Sequence, residues 1–437
     1  MNFQHPLMDI VTMQKNSKPI GICSICSANE YVIEAAMEKS LHENSYVLIE
    51  STSNQVNQFG GYTGMRPADF REFVFSIASK AKFPFERIIL GGDHLGPFPW
   101  KTEKACQAMM NAAEMIREYI VAGFTKIHID TSMLLADDIN TQPLDPEIIA
   151  ERGAFLCAAA EEEYKKLRKL QPNVVCPVYV VGSEVPIPGG SIESEEAMKV
   201  TKSTDFEHTI EMFKKAFNRY NLNNVWERVI GVVVQPGVEF GDDTIHDYSS
   251  EEAMELCRSL RKYPGIVFEG HSTDYQNASA LKNMVKDGIA ILKVGPALTF
   301  AMREALFMLN YIENEIFRGC PGVTLSEFIN TLIFAMDANP ENWKKYYHGD
   351  EKHISLSKKF SYSDRCRYYL HVSEVLSSMK LLIENLKAVE IPMTLISQFL
   401  PVQYKKIRTG LLKNDPESLI KDKIMSVLDD YCFSSNY

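Results

Sequence analysis

The sequence predicts a (β/α)8 barrel followed by an all-helical C-terminal extension. Three observations carry that prediction. Eight short apolar runs recur along the chain, each about as long as a buried strand. Each is followed by a helix-length stretch, so strands alternate with helices and a parallel sheet is expected. Each run also opens directly into a polar loop, and barrels of this kind carry their chemistry where strands end and βα loops begin.

The runs, in order, are ICSIC, YVLIEST, RIILGGDHLG, KIHIDTS, VYVVGSE, VIGVVVQPG, IVFEGHSTD and AILKVGP. Residues 1–20 read as a short helical or irregular lead-in, 21–318 as the barrel and 319–437 as the extension. Pro67-Ala68-Asp69 opens a helix after the second strand, and Asp145-Pro146-Glu147 sets an N-cap before a proline at the first helical position. Ser250-Glu251-Glu252 opens the helix before the seventh strand. Beyond Cys320-Pro321-Gly322 strand-like alternation ends, and four or five helices are expected. One of them runs from Leu395 to Arg408 and stops at Gly410; another starts at Asp415-Pro416-Glu417. The aromatic residues Trp343, Tyr346, Tyr347, Tyr362, Tyr368 and Tyr369 are expected to pack against the barrel.

Composition narrows the functional classes. An apolar fraction of 45% and a charged fraction of 24% suit a globular protein with a large core. A net charge of −11 argues against a nucleic-acid partner but not against a phosphorylated small molecule, because a local pocket can be basic. No signal peptide and no membrane-spanning run are evident, so a membrane role is not expected. Nine scattered cysteines suit a reducing, cytoplasmic setting better than a disulfide framework. The lone Cys23-x-x-Cys26 lies within an apolar strand run and reads as barrel packing rather than a redox or zinc motif.

The strand-end loops hold the candidate chemistry. Gly91-Gly92-Asp93-His94 lets the backbone turn sharply and offers adjacent side chains, one for metal and one for protons. Glu269 and His271 alternate by two onto one face of the seventh strand, and both are good ligands for zinc, manganese or cobalt. Glu184 ends the fifth strand as a metal ligand or acid/base; Gln235 ends the sixth as a weak metal ligand or a sugar binder. Asp130 closes the fourth strand on the same face as His128, where substrate binding and a structural hydrogen bond are equally open. Asn54 and Gln55 belong to a carboxamide- and glycine-rich loop suited to a polyol. Ser272, Thr273, Asp274, Lys293 and Gly295 lie after strands seven and eight, the usual barrel phosphate site. A Schiff-base role for Lys293 is the competing reading, which the neighbouring His and carboxylates make unnecessary.

IGICSICSA, LIESTSNQVNQFGGYTGM, IILGGDHLGP, QPGVEF, HSTDYQ, LKVGPALTFAMREA, and YSDRCRYY and ISQFLP in the tail, resemble the Z-subunit family of class II tagatose-1,6-bisphosphate aldolase (GatZ/KbaZ). The resemblance spans nearly the whole chain. It implies a barrel like that of metal-dependent class II aldolases, holding a divalent metal such as Zn2+, Mn2+ or Co2+, and a ketohexose phosphate substrate in galactitol or tagatose catabolism. Members are usually described as accessory subunits that stabilise and activate a separate catalytic Y subunit. Some relatives are credited instead with 4-epimerisation of tagatose 6-phosphate or of a free ketohexose. Carried onto this sequence, the family pattern makes Asp93 the acid/base, with Glu184 as the alternate, and His94 and His271 metal ligands; Gln235 stands where a further metal histidine would be, so Glu184 or Glu269 is expected to complete the shell. The expected enzyme reading is C3–C4 retro-aldol/aldol chemistry that inverts C4. The alternative is a non-catalytic Z subunit. A homo-oligomer is compatible with either.

Overall fold

The protein is described by a computed structural model covering residues 5–138, 144–183 and 199–435. Eight parallel strands close into a barrel: β1 (Ile22–Cys26), β2 (Val47–Thr52), β3 (Ile88–Leu95), β4 (Lys126–Ile129), β5 (Val178–Val181), β6 (Val229–Val234), β7 (Val267–Gly270) and β8 (Ile289–Val294). Each pairs with its neighbours in sequence, and β1 pairs with β8 to complete the circle. Helices cover the outside, so the strands are buried on both faces. This is why β6 reads VIGVVV, a continuous apolar run with no polar alternation. The helix signals in the sequence have physical counterparts. The Asp145 carboxylate accepts from the Glu147 N–H at 2.8 Å ahead of the helix Pro146–Leu170, and the helix Pro67–Ala81 also begins on proline.

The lead-in forms a helix, Pro6–Lys15, capped by His5 Nδ1, which accepts from the Leu7 N–H at 3.1 Å. It buries Leu7, Ile10 and Val11 against the strand starts, among them Ile22, Leu48, Val178 and Val267. Each such side chain contributes roughly 1.5–3 kcal/mol. The bottom of the barrel is thereby plugged, and the opposite end, where the strands finish, is left for chemistry.

Six α-helices follow Phe317: Phe328–Ala338, Glu351–Phe360, Ser373–Lys387, Met393–Phe399, Pro401–Arg408 and Pro416–Ser435. The expected single helix from Leu395 to Arg408 is two. Pro401 has no N–H to continue the first helix and instead begins the second, so the chain breaks at Leu400. The last helix does not stand apart from the barrel. It packs on β1 and against the helices Glu30–His42, Ala278–Lys286 and Pro296–Phe317. Tyr431, which it carries, donates its phenol to the Thr273 carbonyl at 2.8 Å. A short two-stranded ribbon, Glu239–Phe240 with Ile245–His246, projects from the loop after β6. No helix among the described residues is long and apolar enough to cross a membrane.

Candidate active site at the barrel mouth

Two glycines shape the floor of the mouth. A Cβ at Gly91 would lie 2.6 Å from Glu50 Oε1, and one at Gly96 would lie 1.7 Å from the Asp130 carbonyl oxygen. Only hydrogen fits at either place, so β3 can approach β2 and β4 closely. His94 sits between them at φ +46°, a backbone strain of the kind that holds functional side chains in a fixed pose.

Asp93, His94, His128 and His271 converge from the ends of β3, β4 and β7. One ligand-capable atom from each lies within 4.8 Å of the others. All four residues are buried. The surrounding groups fix each ring. His94 Nδ1 meets Asp130 Oδ2 at 2.8 Å, and Asp130 Oδ1 accepts from the Ser132 N–H and hydroxyl. His271 Nε2 meets Glu269 Oε1 at 3.0 Å. His128 Nδ1 lies 2.8 Å from Asp93 Oδ1 and 3.1 Å from the His94 backbone N–H, and one nitrogen cannot both donate and accept. The Lys293 ammonium, 2.7 Å from the same Asp93 oxygen, keeps that carboxyl ionised, so Nδ1 of His128 carries the proton. Its Nε2 then presents a bare lone pair, fully buried, with no partner.

The charges extend beneath the rings. Lys126 Nζ is 2.7 Å from both Glu50 and Glu269, and Lys293 also pairs with Glu50. Burial alone would raise the Asp93 carboxyl, but His94, Lys293 and His128 outweigh it and hold it well below the ordinary range. Burial would likewise lower Lys293, yet Asp93, Glu50 and Glu269 hold it well above its ordinary value. Burial pushes His271 down to about 3, so its ring is neutral and able to donate a lone pair. Four carboxylates (Asp93, Asp130, Glu50 and Glu269) face two ammonium groups here. Burial would lower the His94 imidazole, but Asp93 and Asp130 outweigh it and raise it, so part of the negative excess is met by that ring's own proton, whose place a bound divalent cation would take. Together with the orphaned His128 nitrogen, this donor set fits a divalent metal held by His94, His128 and His271, with Asp93 beside it.

Above the cluster opens a cavity of about 930 Å³, ample for a sugar phosphate. Asn54, Gln55, Asp93, His94, His271, Ser272, Asp274, Lys293 and Gly295 all reach it. Several expected roles need correction. Glu269 is not a free ligand: its two oxygens are held by Lys126 and His271, so it orients a ring. Gln235 lies apart from the histidines, its Oε1 accepting from the Gly237 and Val238 N–H groups to close a turn. Thr273 is fully buried, bonded to the Lys293 carbonyl and Tyr431 rather than facing the cavity. Asp130 orients His94. The Gly295 N–H is not open to phosphate, because Asp274 Oδ1 accepts from it at 3.0 Å and from the Ala297 N–H at 2.8 Å. Lys293 is tied into the carboxylates and is not a free phosphate partner. Cys26 is more than barrel packing: it lines the cavity with its thiol 3.5 Å from Asp93 Oδ2. Glu184 lies outside the described residues.

Three contributors, Lys126, Arg365 and Arg367, carry no role in the sequence reading, and a fourth, Glu50, is marked there only as a polar strand end in YVLIEST, where chemistry is expected. Lys126 shares the alternation of His128 and Asp130 and had that much signal. Glu50 ends its strand, but its partners come from across the barrel. Arg365 and Arg367, with Tyr346 and Tyr368, line the same cavity from the extension. These two tyrosines therefore form part of the mouth, whereas Trp343, Tyr347 and Tyr369 are packing residues as expected.

A family model described as D-tagatose-1,6-bisphosphate aldolase subunit GatZ/KbaZ-like matches residues 7–436. The chain belongs to the GatZ/KbaZ-like family. Among GatZ relatives, a Klebsiella pneumoniae protein named D-tagatose-1,6-bisphosphate aldolase subunit GatZ is 47% identical over 97% of this chain and 98% of its own length. A Salmonella agona protein of the same name is 46% identical over 98% of each chain. A crystal structure from Sinorhizobium meliloti, described as a "probable tagatose 6 phosphate kinase", superposes with a TM-score of 0.86 at 43% identity, over 95% of this chain and all of that one. The GatZ-type fold is thus a (β/α)8 barrel whose length this chain spans almost entirely.

Proposed function

We propose that this chain is a Z-type subunit of a tagatose-1,6-bisphosphate aldolase, and that its own barrel mouth is a metal site for C3–C4 chemistry on a ketose phosphate. The names of the relatives support the subunit and the sugar. One observation supports chemistry in this chain: the buried Asp93–His94–His128–His271 cluster with an unpartnered ring nitrogen. An inert scaffold has no need to bury four carboxylates, two lysines and three imidazoles together.

A divalent metal in this cluster supplies Lewis-acid polarisation of a ketose carbonyl. The chain's own residues do the rest. Asp93 Oδ1 is committed to His128 and Lys293, while Oδ2 has only the weak Cys26 thiol contact. Oδ2 is therefore the atom that takes the C4 hydroxyl proton as the C3–C4 bond breaks and returns it when the bond re-forms. Lys293 keeps that carboxylate ionised between turnovers. Asp130 and Glu269 hold the rings of His94 and His271. Asn54 and Gln55 present amides to sugar hydroxyls.

A second reading follows from the same cluster. If the aldehyde fragment turns over before the bond re-forms, C4 inverts and the chain is a 4-epimerase without a partner. The test is a coupled assay of the purified chain with tagatose 6-phosphate and tagatose 1,6-bisphosphate, in zinc, manganese or EDTA, with and without a class II catalytic subunit. Metal-dependent turnover by the chain alone, lost in Asp93→Asn, supports chemistry here; fructose 6-phosphate as product marks the epimerase and triose phosphates the aldolase. Cleavage only with the partner present, and unaffected by Asp93→Asn, would reduce this chain to a supporting subunit.

A further inference from the structure

The usual phosphate position of a barrel, at the loops after β7 and β8, is filled here by a carboxylate, since Asp274 accepts from Gly295 and Ala297 N–H. A phosphate dianion there would face a negative charge. The loop anchored on the segments that follow β6, β7 and β8 brings two guanidinium groups to the same cavity instead. Arg365 is 3% exposed, stacks on Tyr346 and donates Nη1 to the Asn342 carbonyl at 3.1 Å. Its Nε has no partner. Arg367 donates Nη1 to the Asp364 carbonyl at 3.0 Å and Nη2 to the Tyr368 phenol at 3.0 Å. Neither arginine forms an ion pair with a carboxylate among the described residues, and neither takes part in the buried charge cluster below. Arg365 is buried and Arg367 half-buried, and like charges two residues apart in such a setting are costly unless an anion joins them. Guanidinium groups with free N–H are suited to phosphate oxygens.

The loop that carries them is fixed in place. Asp364, at φ +45°, accepts from Arg303 Nε at 3.0 Å and from the Thr299 hydroxyl at 2.6 Å. The Tyr362 N–H donates to the Asp242 carbonyl beside the ribbon, and Tyr275 donates to the Tyr362 carbonyl. The arginines are thus held over the mouth from both sides. Burial weakens the hold of Arg365 on its proton, an effect that a bound anion reverses. The Arg367 charge is felt by Asp274 and Asp364.

We propose that Arg365 and Arg367 form an anion subsite that binds the phosphate monoester of a phosphorylated sugar whose reacting carbons lie at the Asp93–His cluster. The sugar part rests on the function proposed above; the anion subsite does not. The test is calorimetric binding of tagatose 6-phosphate, tagatose and inorganic phosphate to the full chain and to Arg365→Gln, Arg365→Lys and Arg367→Gln, with thermal unfolding as the fold control. Wild type should bind the phosphorylated sugar at least tenfold more tightly than tagatose. Either Gln variant should lose that margin while tagatose affinity changes less than twofold, Arg365→Lys should keep part of it, and inorganic phosphate should compete only where both arginines remain. If Arg365→Gln fails to fold, the less buried Arg367→Gln decides. A wild type with no preference for phosphate, or binding no probe, or a preference unchanged in folded Gln variants, overturns the subsite. Loss of metal binding or turnover with the phosphate preference intact would instead sink the function proposed above and leave the subsite standing.

Discussion

Lys126, fully buried, lies within 2.7 Å of two carboxylates. Lys126→Met removes the charge that Glu50 and Glu269 share and leaves Lys293 as the one ammonium among the buried carboxylates. The expected loss is about 3–5 kcal/mol of stability, read as a lower urea midpoint with an unchanged m-value. Adding Glu50→Gln to that variant should recover part of it, because one buried charge is then removed with its partner. At the metal cluster, His128→Ala deletes the orphaned nitrogen; zinc affinity measured with a competing chelator should fall by tenfold or more, and unchanged affinity would remove His128 from the ligand set. Sequence pattern made Asp93, His94 and His271 visible, because strand ends announce themselves by an apolar run meeting polar residues. The role of His128 was not visible. Alternation gives the direction of a side chain but not its partner, and its partner Asp93 comes from another strand. Lys126 was hidden for the same reason, and Glu50 was visible as a polar strand end but its lysine partners were not.

At the scale of elements, the plug helix Pro6–Lys15 tests whether the closed end of the barrel matters as much as the open one. Ile10→Ala should cost about 2–5 kcal/mol, the range for emptying a buried aliphatic site. His5 adds a pH signature. Burial pushes its imidazole down to about 3 from 6.5, so the folded chain holds it neutral. The stability this provides is present above about pH 6.5 and is lost as the pH falls towards 3, by about 1.4 kcal/mol per pH unit. His5→Asn keeps a capping oxygen and has no proton to bind, so its acid limb should be shallower by that amount in urea unfolding between pH 4 and 7. Equal slopes would place the titration elsewhere. Element types were legible wherever capping residues and prolines coincide, as at Asp145-Pro146. Boundaries failed where proline was overlooked, as at Pro401.

The whole molecule is tied together by its last helix, which no local pattern placed against β1; a helix signal specifies an apolar face, not the surface that will receive it. Tyr431→Phe removes a hydroxyl bonded to Thr273 and leaves that carbonyl with only the longer bond from the Gln276 N–H at 3.3 Å, for an expected loss of about 0.5–1.5 kcal/mol, checked by thermal or urea unfolding. Deleting residues 416–435 uncovers Leu419, Ile420, Ile424 and Leu428 contacts at once, and should abolish soluble expression. The same arrangement has a consequence in time. The helix that covers β1 is made roughly 390 residues after it, a wait of roughly 20–80 s at ~5–20 residues per second. Throughout that interval the nascent chain carries an apolar seam that its strands alone do not close, which sets the arrival of that helix, rather than the assembly of strands, as the moment at which the seam is covered.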